Sequence, residues 1–263
     1  MKLSAFTLIK NAIRLQYPII ESINSLLPNV DSYCINLGDS DDATDKLIFD
    51  NFGSNPKVKI FKSIWETKES GMLFFRSQTN KSLDECQESD WYFYLQGDEA
   101  INDDDASRLR NTLEDADKNG CDAVVFNFLH FEKDYAHTKK GYSEGMDAYD
   151  QAVRVIKHKG IRSVGDAMGF SGITKPYISD LTIMHYGYVK SAETMLAKKI
   201  ELKEYYFSDP TFTDDQRVIE NGKIRSVGDK YKFSRQVNDF TGKHPTSMLK
   251  RIEEFYKNNS ELL

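Results

Sequence analysis

Trp91-Tyr92-Phe93-Tyr94-Leu95-Gln96-Gly97-Asp98-Glu99 is the stretch that decides how this chain is read. The run from Trp91 to Leu95 is apolar or aromatic throughout and is bounded by Asp90 and Gly97, which is the pattern of a buried strand. The strand runs directly into two adjacent carboxylates. In open α/β sheets, ligands bind beyond the carboxyl ends of strands. Carboxylates placed there hold hard cations, which in turn hold phosphate oxygens. The stretch therefore predicts a metal-assisted nucleotide site at Asp98 and Glu99. A competing structural reading puts the same two acids in the first turn of the next helix, where they would complement its dipole.

Outward from that strand, the first half of the chain alternates strand and helix. Short apolar runs at 3–9, 33–37, 58–61 and 122–128 read as strands. Between them, 17–27, 42–52, 70–86 and 103–119 have helical spacing. The first of these is followed by Pro28 and the last by Gly120 at a helix-ending position. This rhythm predicts a mostly parallel central sheet with helices on both faces, an α/β fold. The second half is less regular. Residues 131–150 are polar, aromatic and rich in turn formers, and read as a long excursion over the active face. Strands are expected at 153–156 and 181–188, a helix with a basic face at 191–203, and a closing helix at 246–256. No stretch resembles a linker, so 1–263 reads as one domain. Residues 1–128 form its nucleotide-binding half, and 129–263 its acceptor-side half with a C-terminal elaboration.

The composition bounds the class. With 263 residues the chain can bury a sizeable core, and its net charge of −6 argues against a broad nucleic-acid surface. The cysteines, Cys34, Cys86 and Cys121, are far apart and odd in number. That argues against a disulfide framework or a zinc ribbon and points to a reducing compartment, with a cytoplasmic location expected. No apolar run approaches a membrane span, and the first residues lack a signal-peptide pattern. Peripheral membrane contact stays open. Asp39, Asp41 and Asp45 have a spacing that suggests a calcium loop, but Thr44 and Asp50 stand where such a loop needs Gly and Glu. That segment reads better as a strand-to-helix turn capped by Ser40 or Asp41.

Several segments together resemble family 2 glycosyltransferases of the GT-A fold. Phe6-Thr7-Leu8-Ile9-Lys10-Asn11 followed by Tyr17-Pro18-Ile19-Ile20-Glu21-Ser22 resembles their opening. Ser40-Asp41-Asp42-Ala43-Thr44 resembles their S-T-D-G-T turn, Thr79-Asn80 their R-N pair, and Gln96-Gly97-Asp98-Glu99 their D-x-D motif followed by an acid. The ordered set covers residues 3 to about 128. It departs from the family at Leu37-Gly38, where an Asp pair is usual, and at Gln96, which replaces the first acid.

The resemblance implies transfer of a sugar from a nucleotide diphosphate sugar to a hydroxyl acceptor, with inversion at the anomeric carbon. It implies Mn²⁺ or Mg²⁺ on Asp98, helped by Glu99 and by His185, the histidine that closes the apolar run before Tyr186. Thr7, Lys10, Asn11 and Asp39 would hold base and ribose, and Asn80, Gln96 and Gly97 would line the donor site. Among the basic residues Lys10, Arg76, Arg154, Lys190 and Lys199, Arg154 stands out as a diphosphate ligand. It interrupts an apolar strand and so wants a carboxylate or phosphate partner. Asp166 is the preferred catalytic base, ahead of Glu132 and Asp134. Structural alternatives are a strand-end histidine packed among tyrosines for His185 and a loop aspartate for Asp166. Rival functions are a nucleotidyltransferase, disfavoured because residues 6–18 contain no glycine, and a non-catalytic nucleotide-sugar or carbohydrate-binding protein.

Overall fold

The computed structural model describes residues 1–65, 72–139, 150–165, 167, 169–206, 219–220, 223–224 and 237–259. Strands β1 (Leu3–Ile9), β2 (Ser32–Leu37), β3 (Val58–Lys62) and β4 (Trp91–Tyr94) lie in the order β3-β2-β1-β4, all parallel. Helices α1 (Ile19–Leu26), α2 (Thr44–Phe52) and α3 (Met72–Asp84) connect them. Strands β1, β2 and β4 are buried on both faces, whereas the edge strand β3 is partly exposed, and their side chains sort by the two-residue period of a strand. Leu3, Ala5 and Ile9 of β1, with Trp91 and Phe93 of β4, pack in one cluster against α1, α2 and α4 (Asp103–Lys118). Phe6, Leu8, Tyr92 and Tyr94 point the other way, into a cluster that includes Phe74 and Leu83 of α3.

The second half turns the sheet mixed. After the short β5 (Glu99–Ile101) and α4 come β6 (Ala123–Glu132), β7 (His137–Lys139) and β8 (Gln151–Ile156). Strand β8 lies antiparallel between β4 and β6. A hairpin, β9 (Arg162–Val164) and β10 (Gly169–Ser171), precedes β11 (Pro176–Tyr188). Strand β11 runs parallel to β6 along most of its length and pairs antiparallel with β5, placing His185 opposite Glu99. Helix α5 (Ala192–Tyr206) follows, then the two-residue β12 (Ile219–Glu220) and β13 (Lys223–Ile224), β14 (Val237–Asp239) beside β7, and α6 (Leu249–Asn258). The expected α/β architecture, parallel in its first half with helices on both faces, is present.

Three expectations are corrected. Strand β6 continues to Glu132 instead of ending at Phe128, because its whole length is matched by β11, with His130 opposite His185. The expected excursion at 131–150 therefore begins as strand and returns as β7, and 140–149 lie outside the described residues. Glu99 sits on β5, not in a helix. Helix α4 starts later, where Asn102 Oδ1 accepts the Asp105 N–H at 2.8 Å and three aspartates fill the first turn. At the start of α2 it is Asp42 that accepts the Thr44 N–H, at 2.8 Å. Ser40 and Asp41 are engaged elsewhere: Ser40 Oγ accepts the Asn11 N–H and the Asp41 N–H donates to Asn11 Oδ1.

Candidate functional site

The chain reverses between β4 and β5 in a turn closed by two hydrogen bonds. The Glu99 N–H donates to the Gln96 carbonyl, and the Gln96 N–H donates to Glu99 Oε2, each at 3.0 Å. Gly97 lets Ile9 and Ile19 pack closely on the turn, since a Cβ there would lie 2.9 Å from the Ile9 Cδ1 and 3.2 Å from the Ile19 Cδ1. The two acids at this turn have separate fates. Glu99 is fully buried and paired with Arg154, which is also fully buried. Arg154 Nη2 reaches Glu99 Oε1 at 2.6 Å and its Nε reaches Oε2 at 3.0 Å. This corrects two expectations. Glu99 is bound inside the protein as a counter-charge instead of standing ready for a metal. Arg154 found the carboxylate partner that its apolar strand demanded, not a phosphate.

Asp98 faces the carboxyl end of β11. Its Oδ2 lies 3.6 Å from His185 Nε2 and 3.3 Å from Lys198 Nζ of α5. Its carbonyl accepts the Tyr186 N–H at 2.8 Å, which locks the turn to β11. Burial alone pushes the Asp98 carboxyl up, but the Lys198 ammonium and then His185 outweigh it and hold the group well below the usual carboxylate range. Gly187 completes the pocket: a Cβ there would stand 2.6 Å from both Asp98 Oδ2 and His185 Nε2. The chain has left that position bare.

His185 is oriented from behind. Its Nδ1 is 3.0 Å from His130 Nδ1, so one ring donates and the other accepts. The partner on Nδ1 fixes the ring and leaves Nε2 on the Asp98 side, as partners of metal-binding imidazoles do. Nothing in the sequence marked His130, because β6 read as ending two residues before it.

Helix α5 spans the ends of β1 and β4. Lys198 reaches Asp98, and one turn on Glu201 accepts from Asn11 Nδ2 at 2.8 Å and from Arg14 Nη2 at 2.7 Å. Asn11 holds a left-handed backbone (φ 53°), a conformation that Asn tolerates better than most side chains. Its side chain is fully spent on Glu201 and the Asp41 N–H. Tyr17 lies between two ammoniums, Lys190 Nζ 3.7 Å and Lys198 Nζ 5.2 Å from its ring centroid. Lys190 Nζ also donates to the Leu15 carbonyl, and burial followed by the nearness of Lys198 pushes its pKa well below the ordinary lysine value. The sequence marked α5 for a basic face, but a lysine on a charged helix reads as solvated, and nothing showed that Lys198 turns inward.

The other expected site residues divide. Lys10 Nζ and Asp39 Oδ1 pair at 3.3 Å across the ends of β1 and β2, close to Trp65, whose N–H donates to Asp39. Trp65 is buried against Phe74 and Phe75, so it serves as wall and not as an open stacking platform. Thr7 is buried, and its Oγ1 has no hydrogen-bond partner among the described residues. Asn80 is corrected: its Oδ1 accepts the Ser163 N–H at 2.9 Å and its Nδ2 donates to the Ser163 carbonyl, so it fastens α3 to β9. Gln96 is half-buried beside Asp98. Asp134 is likewise engaged, accepting from the Ala136 N–H and meeting His137 Nδ1. Asp166 lies outside the described residues. Its neighbours do not: Gly165 (φ 59°) and Ala167 (φ 69°) are both left-handed, and Ala167 is buried in that strained state.

The residues were tested against the expected divalent cation. Asp98 Oδ2 and His185 Nε2, 3.6 Å apart, have the separation of neighbouring ligands that each sit about 2.1 Å from one ion. Gly187 packs against both without a side chain, and His130 supports the imidazole. No cluster of three or more His, Cys, Asp or Glu side chains suited to a metal exists among the described residues. Two protein ligands still suffice for an ion such as Mg²⁺, which takes one or two carboxylates, substrate phosphates and water. The pair fits such an ion, with Lys198 as the competing charge.

No protein-family model matches the chain, and no curated protein matches it. Solved structures similar to it include TarS of S. aureus, at 14% identity over 77% of this chain and 40% of that one, with a TM-score of 0.47. TarS 1–349 in complex with UDP-GlcNAc is similar at 13% identity over 77% of this chain and 67% of that one, TM-score 0.47. The 4-diphosphocytidyl-2C-methyl-D-erythritol synthase of Anaerococcus prevotii is similar at 11% identity over 76% of this chain and 96% of that one, TM-score 0.42. The chain thus spans less than half the length of TarS. Among the described residues no helix is long and apolar enough to cross a membrane.

Proposed function

We propose that the protein is a nucleotide-sugar-dependent glycosyltransferase. The observation that carries this reading is the Asp98–His185 pair, 3.6 Å apart over the bare Gly187, at the strand ends where a sheet of this kind binds ligands. Lys10 and Asp39 gather at the neighbouring ends of β1 and β2, where base and ribose would sit, and Asn11 fixes the turn beside them. Thr7 Oγ1 is a buried polar atom available beside them. Asp98 and His185 would hold Mn²⁺ or Mg²⁺, and the ion would supply Lewis-acid stabilisation to the departing diphosphate.

In the transfer, the acceptor hydroxyl oxygen forms its bond to the anomeric carbon as the bond to the diphosphate oxygen breaks, giving inversion. A carboxylate takes the hydroxyl proton. Asp166 is proposed for that step, and the strained Ala167 beside it supports a functional turn there.

The test is a thermal-shift screen of UDP, GDP, CDP and dTDP, each with Mn²⁺ and with EDTA, on the wild type and Asp98→Asn. A ligand at a hundredfold its Kd adds about 2.7 kcal/mol of stability. The expected result is a shift for one nucleotide with Mn²⁺, lost in Asp98→Asn. A shift with no release of nucleoside diphosphate from the matching sugar donor would make the protein a binder. No shift with any nucleotide would remove the reading.

A further inference from the structure

The feature this reading leaves unused is Lys198. Its ammonium stands on Asp98 Oδ2, the oxygen that also faces His185 Nε2. A dication shared by Asp98 and His185 and an ammonium 3.3 Å from the same oxygen cannot both occupy this buried corner, because like charges at that range repel strongly where water is scarce. The ammonium and the ion compete for one carboxylate oxygen, so the ammonium gives way when a metal arrives.

We propose that Lys198 is a two-position donor-binding residue, parked on Asp98 in the free protein and passed to the donor's diphosphate when a divalent cation takes Asp98. The inference rests on the nucleotide-sugar reading of the same site. Its surroundings suit such a move. The lysine stem is flexible and its charge is a compact point. Tyr17 and Tyr188 offer ring faces at 5.2 and 6.0 Å, which tolerate a passing cation. The backbone of α5 need not follow, because Glu201 on the same helix is fixed by Asn11 and Arg14.

The test uses the full chain as wild type, Lys198→Met and Lys198→Arg. Mn²⁺ alone is titrated first, with bound ion read by calorimetry or by the loss of free-ion paramagnetic resonance. The nucleotide identified by the screen is then titrated at saturating Mn²⁺. Lys198→Met keeps the stem and removes the charge. It is expected to bind Mn²⁺ alone about tenfold more tightly, because the competitor is gone. It is expected to bind the nucleotide roughly ten- to a hundredfold more weakly, the worth of a hydrogen bond to a charged group. Lys198→Arg should stay within about threefold of the wild type for the nucleotide, the scatter expected where the charge-assisted contact is kept.

General damage to the fold would weaken both ligands, so opposite shifts identify the exchange. Unchanged or weaker Mn²⁺ binding in Lys198→Met overturns the parked position. Unchanged nucleotide binding overturns the transfer. If the wild type binds Mn²⁺ and no nucleotide, the nucleotide-sugar reading falls and takes the transfer with it. The Mn²⁺ comparison still decides the parked position.

Discussion

Arg154→Met should be among the most damaging single substitutions in this protein, and for a reason separate from ligand binding. Arg154 and Glu99 are both fully buried and joined by Nη2–Oε1 at 2.6 Å and Nε–Oε2 at 3.0 Å. The guanidinium also lies 4.9 Å from the Phe128 ring and 5.6 Å from the Tyr94 ring. Removing the arginine strands a carboxylate among these rings. Breaking a buried pair by deleting one partner costs about 3–5 kcal/mol, because the remaining charge has no partner and little water. For a chain of this size each kcal/mol moves the melting temperature by about 2–4 °C, so a fall of roughly 10 °C is expected. The assay is urea and thermal unfolding followed by tryptophan fluorescence, since Trp91 is buried on the adjoining strand. The double variant Arg154→Met with Glu99→Gln removes both charges and should recover half or more of the loss. Its nucleotide affinity should then match the wild type. A loss below about 1 kcal/mol for the single variant, the size of an exposed ion pair, would refute the argument. So would a recovered double variant that cannot bind nucleotide, since Arg154 would then be a phosphate ligand after all.

Two further outcomes follow from single contacts. Gly187→Ala should abolish Mn²⁺ binding while costing about 1–3 kcal/mol of stability, because its Cβ would enter the 2.6 Å spaces beside Asp98 and His185; Mn²⁺ titration and melting temperature check it, and retained affinity would detach the metal from that pair. His244 donates from Nε2 to the Tyr135 carbonyl at 2.9 Å and accepts the Tyr186 hydroxyl at Nδ1 at 2.8 Å, so the fold needs it neutral. Burial lowers its pKa below the ordinary histidine value of 6.5, so the unfolded chain binds the proton first and stability is lost as pH falls below that value, levelling off below the folded pKa. Melting temperatures from pH 7.5 to 5 should therefore fall less steeply in His244→Phe than in the wild type, and parallel slopes would exclude the histidine as the source.

The sequence carried the first half of the fold because its strands are apolar and its helices periodic, and both patterns survive reading without a structure. It also carried Asp98 and His185, each a polar residue closing an apolar run. What it hid follows from the same logic. Lys198 and Glu201 lie on a charged helix, and charge on a helix reads as a solvated face until the partner across the fold is known. His130 was hidden because the strand read as ending at Phe128, whereas pairing with β11 carries it to Glu132. Arg154 was marked as a buried cation in need of an anion, but Glu99 lies 55 residues earlier, and no local pattern links them. Asn80 fits a motif position yet is consumed by the Ser163 backbone, a contact only the fold reveals.

The two adjacent acids show why neighbours in sequence acquire different work. Asp98 closes the turn after β4 and Glu99 opens β5, so one acid turns toward Arg154 inside the sheet and the other toward His185 and Lys198. Glu99 takes the bidentate arginine, whose planar fork, held by several hydrogen bonds in full burial, has no easy route away. That pair is fixed, and through the Gln96 N–H it holds the turn that presents Asp98. Asp98 takes a lysine instead, held at one point by a single ammonium on a flexible stem. Under the proposed reading, an acid that receives a metal needs a counter-charge that can leave, because a buried carboxylate with none would disfavour the fold and one with a permanent partner could not bind. The division of partners, arginine on Glu99 and lysine on Asp98, meets that requirement.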